Sequence, residues 1–209
     1  MQAPSPDCQL CPRLAAFREE QRAAFPDWFN RPVPSFGPAE AELLIVGLAP
    51  GLRGANRTGR PFTGDYAGDL LYATLLETGF ATGEYKAVPD DGLALVNCRI
   101  TNAVRCLPPQ NKPVGKEIGN CRPYLLEELH GLPNLRVVLA LGRIAHDSVL
   151  RALGERLASH PFGHAAIHQA GGLTLADSYH CSRYNTQTGR LTDKMFRDVF
   201  RKIKFVLDN

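Results

Sequence analysis

Residues 43–65 read LLIVGLAPGLRGANRTGRPFTGD. Four apolar residues, Leu43 to Val46, run into Gly47 and predict a short buried strand. The stretch 47–64 holds five glycines, as expected of a loop that turns tightly and lets its backbone approach a ligand. Helical spacing resumes over 66–78, where Leu70, Leu71, Thr74 and Leu75 share a face and Gly79 stops the helix. Strand, glycine-rich loop and helix form the opening half of a βαβ unit. The loop lacks the Gly-Lys-Ser/Thr ending of a P-loop, which disfavours ATP hydrolysis.

The same alternation continues downstream. LALVNCRI (93–100) predicts a second strand, and 117–130 a helix after the Pro-rich loop 107–115. Val137 to Leu141 predicts a third strand, followed by a helix over 143–153. Leu173 to Tyr179 is a fourth, less apolar strand. A final helix over 192–206 carries Phe196, Val199, Phe200 and Ile203 on one stripe. Upstream, 12–24 predicts a short helix with Pro12 at its first position. This order predicts an α/β fold with a parallel sheet, whose ligands bind beyond the carboxyl ends of the strands.

The chain has 209 residues, 44% hydrophobic and 22% charged, which suits one globular domain. No apolar run approaches a membrane span. The opening MQAPSPDCQLCPRL has no basic region followed by an apolar stretch, so no export signal is expected there and the expected compartment is the cytoplasm.

Charge is unevenly placed. Segments 51–64, 98–116 and 182–204 carry net +3, +4 and +5, which leaves −9 on the remainder of a chain of formal charge +3. These segments overlap the loops leaving strands one, two and four. The overlap predicts that a basic surface suited to a polyanion and the functional face are one.

Six cysteines are present. Disulfides are not expected in a reducing compartment. Cys8 and Cys11 form a Cys-x2-Cys pair, and Cys106 with Cys121 brackets the Pro-rich loop. Four thiolates can hold zinc or a [4Fe–4S] cluster, and the wide second spacing favours the cluster. Cys98 lies inside a strand and reads as a core thiol, whereas Cys181 adjoins the candidate catalytic His180 and is left open. His160, His164 and His168 are spaced four apart, but Pro161 and Gly163 break any helix there, which argues against a metal site. Asp65 and Asp69 open a helix, where the dipole alone would favour them. His180 lies just past a strand end, a position open to catalysis as well as to structure.

GLAPG with NRTGRPFTGD, then TNAVRCLPPQNKP, then HCSRYNTQTGRLT, resemble in order the motifs of the uracil-DNA glycosylase superfamily, and within it those of the family 5 iron–sulfur enzymes of bacteria and archaea. The resemblance spans residues 8 to about 193. It implies a three-layer α/β/α sandwich around a four-stranded, mainly parallel sheet. It implies one domain over 1–209, with segment 1–40 tied to the core by a [4Fe–4S] cluster on Cys8, Cys11, Cys106 and Cys121. The implied reaction is hydrolysis of the N-glycosidic bond of a damaged base flipped out of DNA. Phe62 would stack on the base, Asn102 would read its Watson–Crick edge, and His180 would hydrogen-bond the departing base. Asp65, with Asp69 second, would stabilise the sugar cation or place the water. Gly47, Leu48, Ala49 and Gly51 would offer backbone groups, with Asn56 also binding substrate. Arg183 and Tyr184 would wedge into the gap. Uracil, hypoxanthine and xanthine in double-stranded DNA are the implied substrates, for a monomer working at the nucleoid of a prokaryote. The first motif has no acid or Asn where other families activate water. Position 181 is Cys where relatives usually have Pro, and 184 is Tyr where Gln is expected. A redox-sensing iron–sulfur DNA-binding protein without catalysis, or a zinc-stabilised nucleotide hydrolase, would also explain the cysteines, but not Phe62, Asn102 and His180 on converging loops.

Overall fold

The computed structural model describes residues 2–209. Helix α1 (Pro12–Ala24) precedes β1 (Leu43–Gly47), the short α2 (Ala55–Thr58) and α3 (Tyr66–Thr78). A two-stranded ribbon, β2 (Ala81–Thr82) with β3 (Ala94–Leu95), leads to β4 (Cys98–Asn102) and α4 (Gly115–Gly131). Then come β5 (Val137–Leu141), α5 (Arg143–Ala152), β6 (Ile167–Ala170), β7 (Leu173–Ser178), α6 (Arg183–Gln187) and α7 (Asp193–Asp208).

The main sheet has the order β4-β1-β5-β7-β6. Strand pairs β1–β4, β1–β5 and β5–β7 are parallel, so Gly47, Asn102 and Ser178 end at one rim. Every residue of β1 and β5 is buried, as expected of strands covered on both faces. Alternate side chains divide between two cores. Leu43, Ile45, Leu139 and Ile100 pack with Leu71, Leu75, Phe196 and Phe200 of α3 and α7. Leu44, Val46, Val138 and Leu175 pack with Leu125, Leu129, Val149 and Leu150 of α4 and α5. The three-layer sandwich is thus built by period-two alternation along the central strands.

Two expectations are corrected. The sheet has five strands rather than four, because Ile167–Ala170 adds an antiparallel edge to β7. Its residues IHQA place two polar side chains between Ile167 and Ala170, so they give no apolar run. The signal is Gly171-Gly172, a two-residue turn with φ of +57° and +79°. The run 93–100 also divides. Asn97 adopts φ of +50°, which ends the ribbon strand and starts β4, so Asn102 becomes the last residue of a strand.

Helix α1 docks beside the Cys106–Cys121 region. Leu14 packs with Val104 and Cys121, and Arg13 Nε and Nη2 donate to both oxygens of Glu117 at 2.8 and 2.7 Å. No helix is long and apolar enough to cross a membrane among the described residues.

Candidate active site

A cavity of about 400 Å³ opens at the rim where β1, β4 and β7 end. Leu48, Ala49, Gly51, Phe62, Asp65, Asn102, His180 and Arg183 line it, so most of the residues expected from the sequence meet in one place.

Two neighbouring strands end beside it, although Gly47, expected to bind substrate, is not among its lining residues. Gly47 and Asn102 are register partners. A Cβ at position 47 would lie 2.4 Å from Asn102 Oδ1 and 2.6 Å from Phe62 Cζ, so only glycine lets the amide and the ring close in together. Asn102 is 3% exposed, and its Oδ1 is buried with no hydrogen-bond partner. A buried amide oxygen left unpaired costs about 1–3 kcal/mol, which a ligand donor would recover.

Phe62 adopts φ of +54°, a left-handed conformation unfavourable for a bulky residue. Its neighbours hold it there. Tyr72 Oη donates to Pro61 O at 2.6 Å, and Tyr85 Oη donates to Phe62 O at 3.3 Å. Arg60 Nε donates to Thr63 Oγ1 at 2.7 Å, while its two other nitrogens grip Asp91 at 2.8 and 2.7 Å. The guanidinium sits among the rings of Phe36, Tyr72 and Tyr85, 5.2 to 5.9 Å from their centroids. The aromatic rings and the carboxylate of Asp91 compensate the buried charge. Sequence reading missed Tyr72, Tyr85 and Asp91, because their chain separations from the loop are set only by folding.

The His180 ring faces Phe62 across 5.8 Å at 29°. Burial pushes its pKa down to about 4, so the imidazole is neutral at neutral pH. Asp65 is the N-cap of α3, and its Oδ1 accepts from Gly68 N at 3.1 Å. A Cβ at Gly54 would fall 2.3 Å from Asp65 Oδ2, so the carboxylate is seated against bare backbone. Burial raises its pKa above the ordinary aspartate value, with Asp69 adding a smaller push.

Three expectations need correction. Asn56 is 2% exposed and turns away, its Nδ2 donating to Asn30 Oδ1 at 2.8 Å. It braces the loop and does not line the cavity. Tyr184 is 72% exposed on α6 and lies outside the lining, whereas Arg183 reaches the cavity and stacks on Tyr66 at 5.1 Å. The basic surface is also smaller than the charge count implied. Arg60 is paired with Asp91, Arg99 and Arg105 share Glu128, and Lys194, Arg197 and Arg201 pair with Asp198 or Glu77. The exposed side chains of Arg53, Arg57, Lys112, Lys116, Arg143, Arg183 and Arg190 form no ion pair among the described residues.

The four cysteines singled out do come together. Cys8, Cys11, Cys106 and Cys121 line one apolar cleft with Leu14, Ala15 and Val104. Donors point at the sulfurs: Arg105 N lies 3.3 Å from Cys121 Sγ, Asn120 Nδ2 3.6 Å from Cys11 Sγ, and Arg18 Nη1 4.0 Å from Cys106 Sγ. Such donors suit thiolate ligands, so the residues fit a thiolate-bound group. Cys98 and Cys181 are fully buried elsewhere, and Cys181 Sγ donates to Ala67 O at 3.4 Å.

An aromatic plane, an unpaired amide, a neutral imidazole and a desolvated carboxylate at the strand ends define a site for a flat, hydrogen-bonding heterocycle. The family model of the Uracil DNA glycosylase superfamily matches residues 34–204. A type-5 uracil-DNA glycosylase of Thermus thermophilus is 50% identical over 204 residues, covering 94% of this chain and 92% of that protein. Type-5 enzymes of Mycobacterium tuberculosis and Pyrobaculum aerophilum are 43% and 39% identical, each over 94% of this chain and over 77% and 87% of their own lengths. The chain belongs to the uracil-DNA glycosylase superfamily, as a member of its type-5 family of enzymes.

Proposed function

We propose that this enzyme hydrolyses the N-glycosidic bond of uracil in double-stranded DNA, accepts hypoxanthine and xanthine, and leaves an abasic site. The observation that carries the reading is that Asn102, whose buried Oδ1 has no partner, lines the same cavity as Phe62. A uracil offers a donor and an acceptor on one edge, and an amide answers both. The base enters after leaving the stack, and Phe62 covers one of its faces.

As the bond breaks, negative charge develops on the base and positive charge on the sugar. His180, neutral under working conditions, supplies an N–H to the base oxygen that gains charge. Asp65 balances the sugar cation and orients the attacking water, the better as a base because burial raises its pKa. Ala49, Ala55 and Ala67 line part of the cavity, whose volume of about 400 Å³ leaves room for a bicyclic purine.

Cys8, Cys11, Cys106 and Cys121 hold a [4Fe–4S] cluster in this reading. When bound, the cluster supplies a cross-link between segment 1–40 and the loop after β4. The protein then works at the bacterial or archaeal chromosome as a monomer.

The test is a duplex oligonucleotide carrying one uracil, incubated with the holoprotein and then cleaved with alkali. A strand break at the uracil is expected, with slower breaks at hypoxanthine and xanthine. An intact strand with tight binding would instead establish the redox-sensing, non-catalytic alternative. Iron at about four atoms per chain is expected in the brown holoprotein.

A further inference from the structure

On the flank of the sheet, behind the strand that delivers His180, lies a second cluster of ligating side chains. His146 of α5, His168 of β6 and Asp177 of β7 place one nitrogen or oxygen each within 4.8 Å of the others. All three are enclosed, with side-chain exposures of 1%, 14% and 0%. We propose that this cluster is a zinc site with two imidazole nitrogens, the Asp177 carboxylate and one water as ligands.

Three observations converge. His168 Nε2 is buried with no hydrogen-bond partner and sits 3.6 Å from Asp177 Oδ2. His146 Nδ1 lies 2.8 Å from Asp177 Oδ1. Tetrahedral zinc with bonds of about 2.0–2.1 Å separates its ligands by about 3.3 Å, and the 3.6 and 2.8 Å distances, one to each oxygen of the Asp177 carboxylate, lie on either side of that value. The far nitrogen of His146, Nε2, is fixed 2.8 Å from His160 O. A metal-bound histidine characteristically anchors its outer N–H in this way. On binding, zinc takes the place of the proton that His146 Nδ1 shares with Asp177, and that proton leaves to solvent.

The donor set selects the metal. Two imidazoles exclude magnesium and calcium, which take oxygen ligands. Ferrous iron on two histidines and a carboxylate keeps several positions open toward a substrate, and this cluster is closed, with the Phe162 ring edge-on to His146 at 5.5 Å. The role that follows is structural. Zinc clasps the edge strand β6 and helix α5 to β7, three residues before His180.

The test uses the cluster-loaded holoprotein, in which the thiolates are occupied. After incubation with one equivalent of zinc and gel filtration, about one zinc per chain is expected, together with a higher melting temperature. His168→Ala and His168→Gln each remove a ligand at the sheet edge, away from the catalytic cavity. Both should retain less than a tenth of the zinc while still excising uracil, which shows that they fold. His160→Ala keeps the backbone carbonyl and should bind zinc as the parent does. A parent protein that retains no zinc overturns the proposal. So does full zinc retention in both His168 variants, or its loss in His160→Ala, which would place the ion on surface imidazoles.

Discussion

Gly47 and Asn102 face each other across two parallel strands, and the missing side chain of the first makes room for the amide of the second. The virtual Cβ at 47 falls 2.4 Å from Asn102 Oδ1. Gly47→Ala should therefore displace Asn102 or Phe62. We expect a stability loss of about 1–3 kcal/mol from overpacking. A larger loss is expected in kcat/KM for uracil, measured on a short duplex. Unchanged excision would mean that Asn102 does not read the base.

Asp65 is a desolvated carboxylate at the head of α3, and the proposed reaction gives it a chemical role. Asp65→Asn keeps a cap acceptor for Gly68 and removes the buried charge. The variant should melt higher, about 2–4 °C for each kcal/mol gained, while excision falls by about 10²-fold or more. Wild-type turnover in this variant would remove Asp65 from the mechanism.

The two site groups titrate with opposite consequences for stability. Asp65 has a raised pKa, so excision should fall as pH drops through a value above the ordinary aspartate range, and Asp65→Asn should lack that limb. Protonation of Asp65 in that window favours the folded state. His180 is held at about 4 by burial, whereas in the unfolded chain it titrates near 6.5. The unfolded state therefore binds more protons between these values, and His180 makes stability decline as pH falls from about 6.5 to about 4. Chemical denaturation of the parent and of His180→Ala across this range separates the two effects.

Asp91 holds Arg60, and Arg60 holds the turn that carries Phe62. Asp91→Ala leaves a buried guanidinium without its carboxylate, at a cost of about 3–5 kcal/mol. Thermal melting should show it, and KM for uracil DNA should rise as Phe62 relaxes from its positive φ. Asp91→Glu should recover part of both. A KM unchanged in a destabilised Asp91→Ala would reduce the pair to a purely structural role.

DNA binding should weaken steeply with salt, since phosphate contacts release counterions. Arg53, Lys112 and Arg190 are exposed and outside any ion pair, so replacing any that touches a phosphate should lower the log–log salt slope by about 0.9. Arg99 and Arg105, tied to Glu128, should leave the slope unaltered when replaced singly by Lys.

The fold was legible where burial is simple. Leu43–Gly47 and Val137–Leu141 are covered on both faces, so they read as continuous apolar runs. The edge strand Ile167–Ala170 is half solvated and short, and its polar residues hid it. The meeting of Phe62, Asn102 and His180 in one cavity was legible because each follows or ends a strand of one parallel sheet, so they emerge at the same rim. Asn56 was misread, since a loop amide facing a ligand and one facing a neighbouring loop look alike in sequence.

The sequence by itself determined the alternation of strands and helices, the rim that bears the loops, and the four thiols set apart from two others. Apolar periodicity and residue chemistry are local properties, and they survive in one dimension. Only the tertiary structure decided which arginines are free, since pairing depends on carboxylates many residues away. It alone brought Asp91 to Arg60, and His146 and His168 to Asp177, across separations of 31, 31 and 9 residues. Such contacts follow from how strands stack and helices pack, and no spacing along the chain encodes them.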